Sequence, residues 1–176
     1  MVGLALLLVF GGVVNVVKKF VAHHDGAPFI ADVAPGQCIT TKDFKDFHFT
    51  PTSCADSDAV YEFAGKTAMG LCPDGIRAQD GPYFYATPNQ DDSKADLLCF
   101  ALNLHEGNCY ALDITAKAIT HIDCTQAASN ANSHTGVFRV SMRADGSTDA
   151  TQCPTDTKSM VFIAPQRVYC LAKVVE

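Results

Sequence analysis

Residues 2–17 hold one polar side chain, Asn15, and no charge precedes Lys18. A helix over that stretch rises about 24 Å, and continuing it through Ala22 gives about 31 Å. That length crosses a hydrocarbon core of about 30 Å, with Lys18 and Lys19 reaching the headgroups. A cleaved signal peptide places its basic residues before the apolar run, not after it. A soluble core helix is rarely apolar on every face. Residues 1–22 are therefore expected to form a single transmembrane anchor. Gly11 and Gly12 would let a second helix approach closely, and Asn15 would hydrogen-bond across such a contact. The plainer reading of these glycines is that membrane helices are rich in Gly.

Residues 23–35 hold two prolines and a glycine and read as a linker. From Gly36 onward the pattern changes to short runs rich in Val, Ile, Phe, Tyr and Thr, separated by turn residues. The expected strands are 37–41, 46–52, 59–64, 82–87, 97–103, 108–114, 118–123, 136–142, 159–164 and 168–174. Phe44, Phe47 and Phe49 alternate locally, and residues 56–61 fit a helical turn as well as a strand. The fold class is mostly β.

Four landmarks occur twice in the same order. Gly36-Gln37-Cys38, Cys54, Cys72-Pro73, and Pro88 before Cys99 are followed by Gly107-Asn108-Cys109, Cys124, Cys153-Pro154, and Pro165 before Cys170. We read an internal repeat, with one β unit at 36–104 and a second at 105–176. Residues 89–96 are an insertion in the first unit, and residues 127–135 one in the second. Eight cysteines, with no Cys-x-x-Cys, point to disulfides in an oxidising compartment and away from zinc or thiol chemistry. They allow 105 pairings. The repeat favours Cys38–Cys54, Cys72–Cys99, Cys109–Cys124 and Cys153–Cys170.

The net charge is −6, and Lys18 and Lys19 are the only charges before Asp25, so the remainder is more acidic still. Such a surface repels phosphate backbones and excludes nucleic acid as a natural partner. The two lysines favour a cytoplasmic side for the residues C-terminal to them, by the positive-inside rule. The cysteines favour the opposite side. Two charges are the weaker signal, so the bulk of the chain is expected on the extracytoplasmic side of the plasma membrane.

The openings before Cys38 and Cys109, the stretch Cys54-Ala55-Asp56-Ser57-Asp58-Ala59-Val60-Tyr61, the step Cys72-Pro73-Asp74-Gly75 and Leu98-Cys99 resemble the actinobacterial LppU-type envelope proteins. The resemblance covers about residues 33–174. It implies an extracytoplasmic position and no established catalysis. Cys38 follows Pro35-Gly36-Gln37 and not an apolar lipobox, so the helix and not a lipid is expected to anchor the chain.

No Gly-x-Ser-x-Gly, phosphate-binding glycine loop or His-Glu-x-x-His occurs. Asp91, Asp92 and Asp96 lack the spacing of a calcium loop. His23 and His24 are adjacent, and the other histidines are scattered. We expect no catalytic residue, metal or cofactor. The aromatic residues Phe44, Phe47, Phe49, Tyr61, Phe63, Tyr83, Phe84 and Tyr85 read as core before they read as a ligand cage. The expected role is a non-catalytic interaction module in contact with membrane lipid and the subunits of an integral membrane complex. By architecture alone, the actinobacterial cytochrome bcc–aa3 respiratory supercomplex is a candidate. A glycan- or lipid-binding domain and an uncharacterised enzyme are the alternatives.

Overall fold

The first half of the described chain folds into four antiparallel strands, β1 (Cys38–Ile39), β2 (Tyr61–Thr67), β3 (Phe84–Ala86) and β4 (Leu97–Leu102), in the order β1-β2-β4-β3. β4 reads Leu-Leu-Cys-Phe-Ala-Leu, and all six residues are buried. Side chains alternate across a strand, so burial of all six means that both faces of β4 are covered. The second half supplies β5 (Cys109–Asp113), β6 (Ala118–Ile122), β7 (Thr135–Asp145), β8 (Lys158–Ile163) and β9 (Gln166–Lys173), in the order β6-β5-β7-β9-β8. The computed structural model describes residues 33–67, 70–87, 97–113, 118–131 and 134–174. The expected anchor, with Gly11, Gly12 and Asn15, lies outside the described residues, as does the acidic insertion at 89–96. Among the described residues no helix is long and apolar enough to cross a membrane. Both sheets belong to one compact unit running from Asp32 to Glu176.

The two sheets share strand order and register. β1, β2, β4 and β3 in the first stand where β5, β7, β9 and β8 stand in the second. Gly36 and Gly107 both take positive φ, 86° and 85°, which lets the chain turn tightly into β1 and β5. Their N–H groups donate to Phe63 O at 2.9 Å and Val140 O at 2.8 Å. Phe63 and Val140 return the bond to Gln37 O and Asn108 O, and a bulge follows each. Cys99 faces Gly65 and Tyr85 across its ladders, while Cys170 faces Met142 and Ser159. Outside β5 the second sheet adds the full strand β6; outside β1 the first has a lone bridge from Cys38 to Thr52.

One segment differs from expectation. Residues 37–41 contain β1, but residues 46–52 form no strand, and a helix, α1 (Thr41–Asp46), follows β1. The Thr40 side chain accepts the Asp43 N–H, and its hydroxyl donates to Asp43 Oδ2 at 2.7 Å. Lys42 pairs with Asp46 one turn on at 2.8 Å. These local bonds favour a helical turn over an extended chain. The helix stops where Phe47 turns left-handed, with φ 55°. The alternation of Phe44, Phe47 and Phe49 is thus a helix face followed by a helix end. Phe44 lies on the first sheet, stacked on Tyr61 at 4.3 Å and edge-on to Phe100 at 5.4 Å. In the second insertion, residues 127–130 form the short helix α2 (Ala127–Asn130).

Four disulfides form, Cys38–Cys54, Cys72–Cys99, Cys109–Cys124 and Cys153–Cys170, and no cysteine is free. They are the pairs favoured on sequence. Each closes a loop of 15 to 27 residues, a size that contributes about 3 kcal/mol in the chain-entropy account. Replacing Cys72 and Cys99 together by Ser should lower stability by about that amount. Urea unfolding followed by near-ultraviolet circular dichroism measures it, and an unchanged midpoint would contradict the role given to this bond.

Candidate functional site

The chemistry of this domain gathers where the two sheets meet, around two arginines. Arg167 is the second residue of β9 and is only 6 % exposed; Glu62 on β2 is 8 % exposed. Arg167 Nη1 donates to Glu62 Oε2 at 2.8 Å and to Leu102 O at 2.9 Å, while its Nε donates to Asp145 Oδ1. Arg143 on β7 lies beside it. Its Nη1 donates to Asn103 Oδ1 and Leu104 O, both at 3.0 Å, and its Nε to Asp145 Oδ2 at 2.9 Å. The two guanidinium carbons lie 5.9 and 6.0 Å from the centroid of the Tyr169 ring, within cation–π range.

The charges balance locally. Burial works against the charge on Arg167, but Tyr169, Asp145 and Glu62 outweigh it and raise its pKa above the ordinary arginine value. Burial likewise pushes Asp145 up, and the bonds from Arg143 and Arg167 overcome that and hold it below the usual carboxylate range. Two cations face two carboxylates in a partly dry setting, where an unpaired charge is costly.

Tyrosine hydroxyls and a few small polar groups complete the seam. Tyr169 Oη donates to Leu102 O at 2.8 Å and accepts the Leu104 N–H at 2.9 Å. Tyr61 Oη accepts the Ile119 N–H at 2.9 Å, and Thr41 Oγ1 donates to Ile119 O. Both outward backbone groups of Ile119 are thereby sealed near the start of edge strand β6, which protects it from pairing with another chain. Tyr83 Oη accepts the Ala164 and Ile163 N–H groups and donates to Ala164 O, fixing the β8–β9 turn. Burial raises the pKa of Tyr61, Tyr83 and Tyr169, so each keeps its hydroxyl proton. Asn103 Nδ2 donates to Cys54 O at 2.8 Å and Ala59 O at 2.9 Å, which ties the first disulfide loop to the same seam.

The aromatic residues singled out on sequence divide in two. Phe49, Tyr61, Phe63 and Tyr83 are buried. Phe44, Phe84 and Tyr85 are half-buried, and Phe47 is 43 % exposed. The described histidines do not gather. His121 Nδ1 lies 3.4 Å from Asp58 Oδ1, but the Asp58 side chain is 72 % exposed, so solvent screens the pair. His105 Nε2 and Asp74 Oδ2 are buried atoms with no hydrogen-bond partner. Among the described residues no three His, Cys, Asp or Glu side chains converge to hold a metal ion.

The eight cysteines lie where the sequence pairs them. Arg143, Arg167, Glu62, Asn103 and Tyr169 carry the seam, and sequence reasoning did not single them out for it. The available signal was Arg167 at the head of the apolar run Val168-Tyr169-Cys170-Leu171, a charge where a buried strand needs a partner.

Arg167→Met leaves Glu62 buried without its cation and should cost about 3–5 kcal/mol, whereas Glu62→Gln with Arg167→Met should cost less than the sum of the two single changes. A double-mutant cycle on urea midpoints measures the coupling, and additive losses would show that the pair is not coupled. Compared with known proteins, the chain matches no family model, no curated protein and no solved structure.

Proposed function

We propose that this chain is a membrane-anchored, extracytoplasmic interaction module with no catalytic role. The observation that carries the reading is where the polar chemistry goes. Every cysteine is in a disulfide, and both arginines of the seam are bonded to groups of the fold itself. Groups committed in this way hold a shape and are not themselves free to act as nucleophile or base. Paired cysteines suit an oxidising compartment, and the apolar run at residues 2–17 suits a helix that keeps the module at the membrane.

The matched register of the two sheets supports an internal duplication, whose second copy gained β6 and whose halves fused along the arginine seam. On this reading the module is a rigid accessory subunit of a larger membrane assembly, of the kind the LppU-type resemblance and the bcc–aa3 supercomplex layout suggest. Gly11, Gly12 and Asn15 would meet a partner helix in the bilayer. The half-buried aromatics Phe44, Phe84 and Tyr85, with the more exposed Phe47, favour a second reading as a glycan- or lipid-binding domain.

Extraction of the tagged full chain in a mild detergent should recover integral membrane proteins in fixed stoichiometry. Gly11→Leu with Gly12→Leu should reduce that recovery while leaving the folded unit intact. Migration of the wild-type chain alone would overturn the accessory-subunit reading.

A further inference from the structure

Each half closes a loop onto its first strand with a disulfide, Cys38–Cys54 in one and Cys109–Cys124 in the other. The two loops are held differently. In the first half, Asn103 Nδ2 donates to Cys54 O at 2.8 Å and Ala59 O at 2.9 Å, and the Asn103 N–H donates to Val60 O. The Thr52 N–H donates to Cys38 O. None of these bonds depends on the sulfur bridge. In the second half, residues 123–131 form a 3-10 turn (Cys124–Gln126) that runs into α2. Among the described residues, the hydrogen bonds of this strap close on themselves. Asp123 Oδ1 accepts the Thr125 N–H, and the Gln126, Ala127 and Ala131 N–H groups donate to Asp123 O, Cys124 O and Ala127 O. Ser129 and Asn130 donate back to Gln126 O. Cys124 Sγ lies 3.8 Å from Gly107 O, a contact with no proton to share while the sulfur is bridged. What holds the strap down is the Cys109–Cys124 bond and the packing of α2 on β5 and β7, where Ala127 is buried. Cys109, Ala111 and Val137, which faces Ala111 from β7, share that face of the sheet.

The bond that pins the strap is also the one a thiol in solution can reach. Cys124 is exposed, whereas Cys54 and Cys153 are half-buried and the other five cysteines are buried. Thiol–disulfide exchange needs a thiolate to approach one of the two sulfurs, and exposed disulfides are the labile ones.

We propose that Cys109–Cys124 is a redox-operated latch: a dithiol reductant opens it ahead of the other three bonds, and the strap lifts from β5 and β7 while the rest of the domain stays folded. One thiolate of the reductant attacks Cys124 Sγ and forms a mixed disulfide; Cys109 Sγ leaves as a thiolate and takes up a proton. The second thiol of the reductant, as a thiolate, attacks the reductant's own sulfur in that mixed disulfide and releases Cys124, which is also protonated. Two electrons pass to the protein, the reductant leaves as a disulfide, and its two protons end on Cys109 and Cys124. A helix of four residues is not stable alone in water, so the freed strap unwinds. The face around Ala111 and Val137 is then uncovered. The equivalent loop of the first half gives no such response, because Asn103 keeps it in place.

The test is graded reduction of the oxidised full chain in mild-detergent micelles with dithiothreitol, quenched by alkylation and read by peptide mapping. Cys109 and Cys124 should be alkylated first and together, ahead of the two half-buried pairs and of Cys72–Cys99. In that singly reduced species, peptides covering residues 123–131 should exchange amide hydrogens on the order of tenfold faster, while peptides covering β7 and β9 keep the oxidised rate. Cys109→Ser with Cys124→Ser should show the same freed strap without reductant. Cys38→Ser with Cys54→Ser should leave residues 52–60 exchanging within about twofold of the wild type. A different disulfide opening first, or all four opening in one step, would overturn the latch. So would a strap that keeps its oxidised exchange rate once Cys109–Cys124 is reduced, or equal loosening of the two loops in the two double variants.

Discussion

The guanidinium of Arg167 sits where the two sheets meet, and most of what joins them passes through it or its neighbours. A cation in that position is tolerable only if every donor finds an acceptor and the charge finds a counter-charge. Glu62, Asp145 and Leu102 O supply these from three strands, so β2, β7, β9 and the end of β4 are fixed relative to one another. Arg143 extends the network to Asn103, and Asn103 extends it to the loop after Cys54. The interface is specified by direction and charge as well as by apolar area.

This arrangement divides the work of holding the domain between two kinds of bond. Small β units have limited cores, and disulfides compensate by restricting the unfolded chain. Each half has two. Disulfides confined to the halves would leave the halves free to slide, because apolar contact is not directional. The arginine pair and the tyrosine hydroxyls supply the direction. They also seal the exposed edge of β6 at Ile119. An edge closed by side chains presents fewer free backbone groups for unintended pairing.

The half-buried aromatic cluster around α1 shows how local and tertiary effects combine. Thr40 and Asp43 start a helix in the gap between two expected strands, because a capping bond is available at once from near neighbours. Its orientation is then set by Phe44, which stacks on Tyr61 and meets Phe100. Tyr61 uses its ring for this contact and its hydroxyl for Ile119, so one side chain serves both the first sheet's face and the seam.

The sequence by itself determined the β class, most of the strands and the disulfide partners. These features are local or repetitive: alternation, turn residues and cysteine landmarks that recur in order can be read without coordinates. It missed α1, because three phenylalanines spaced three and then two residues apart do not distinguish a strand from a helix and its end. The tertiary structure alone decided the seam. Glu62 and Arg167 are 105 residues apart, and nothing in the neighbourhood of either names the other. Their pairing exists because two sheets of matching register come together on faces that place a carboxylate opposite a guanidinium, a relation of surfaces that no local pattern encodes.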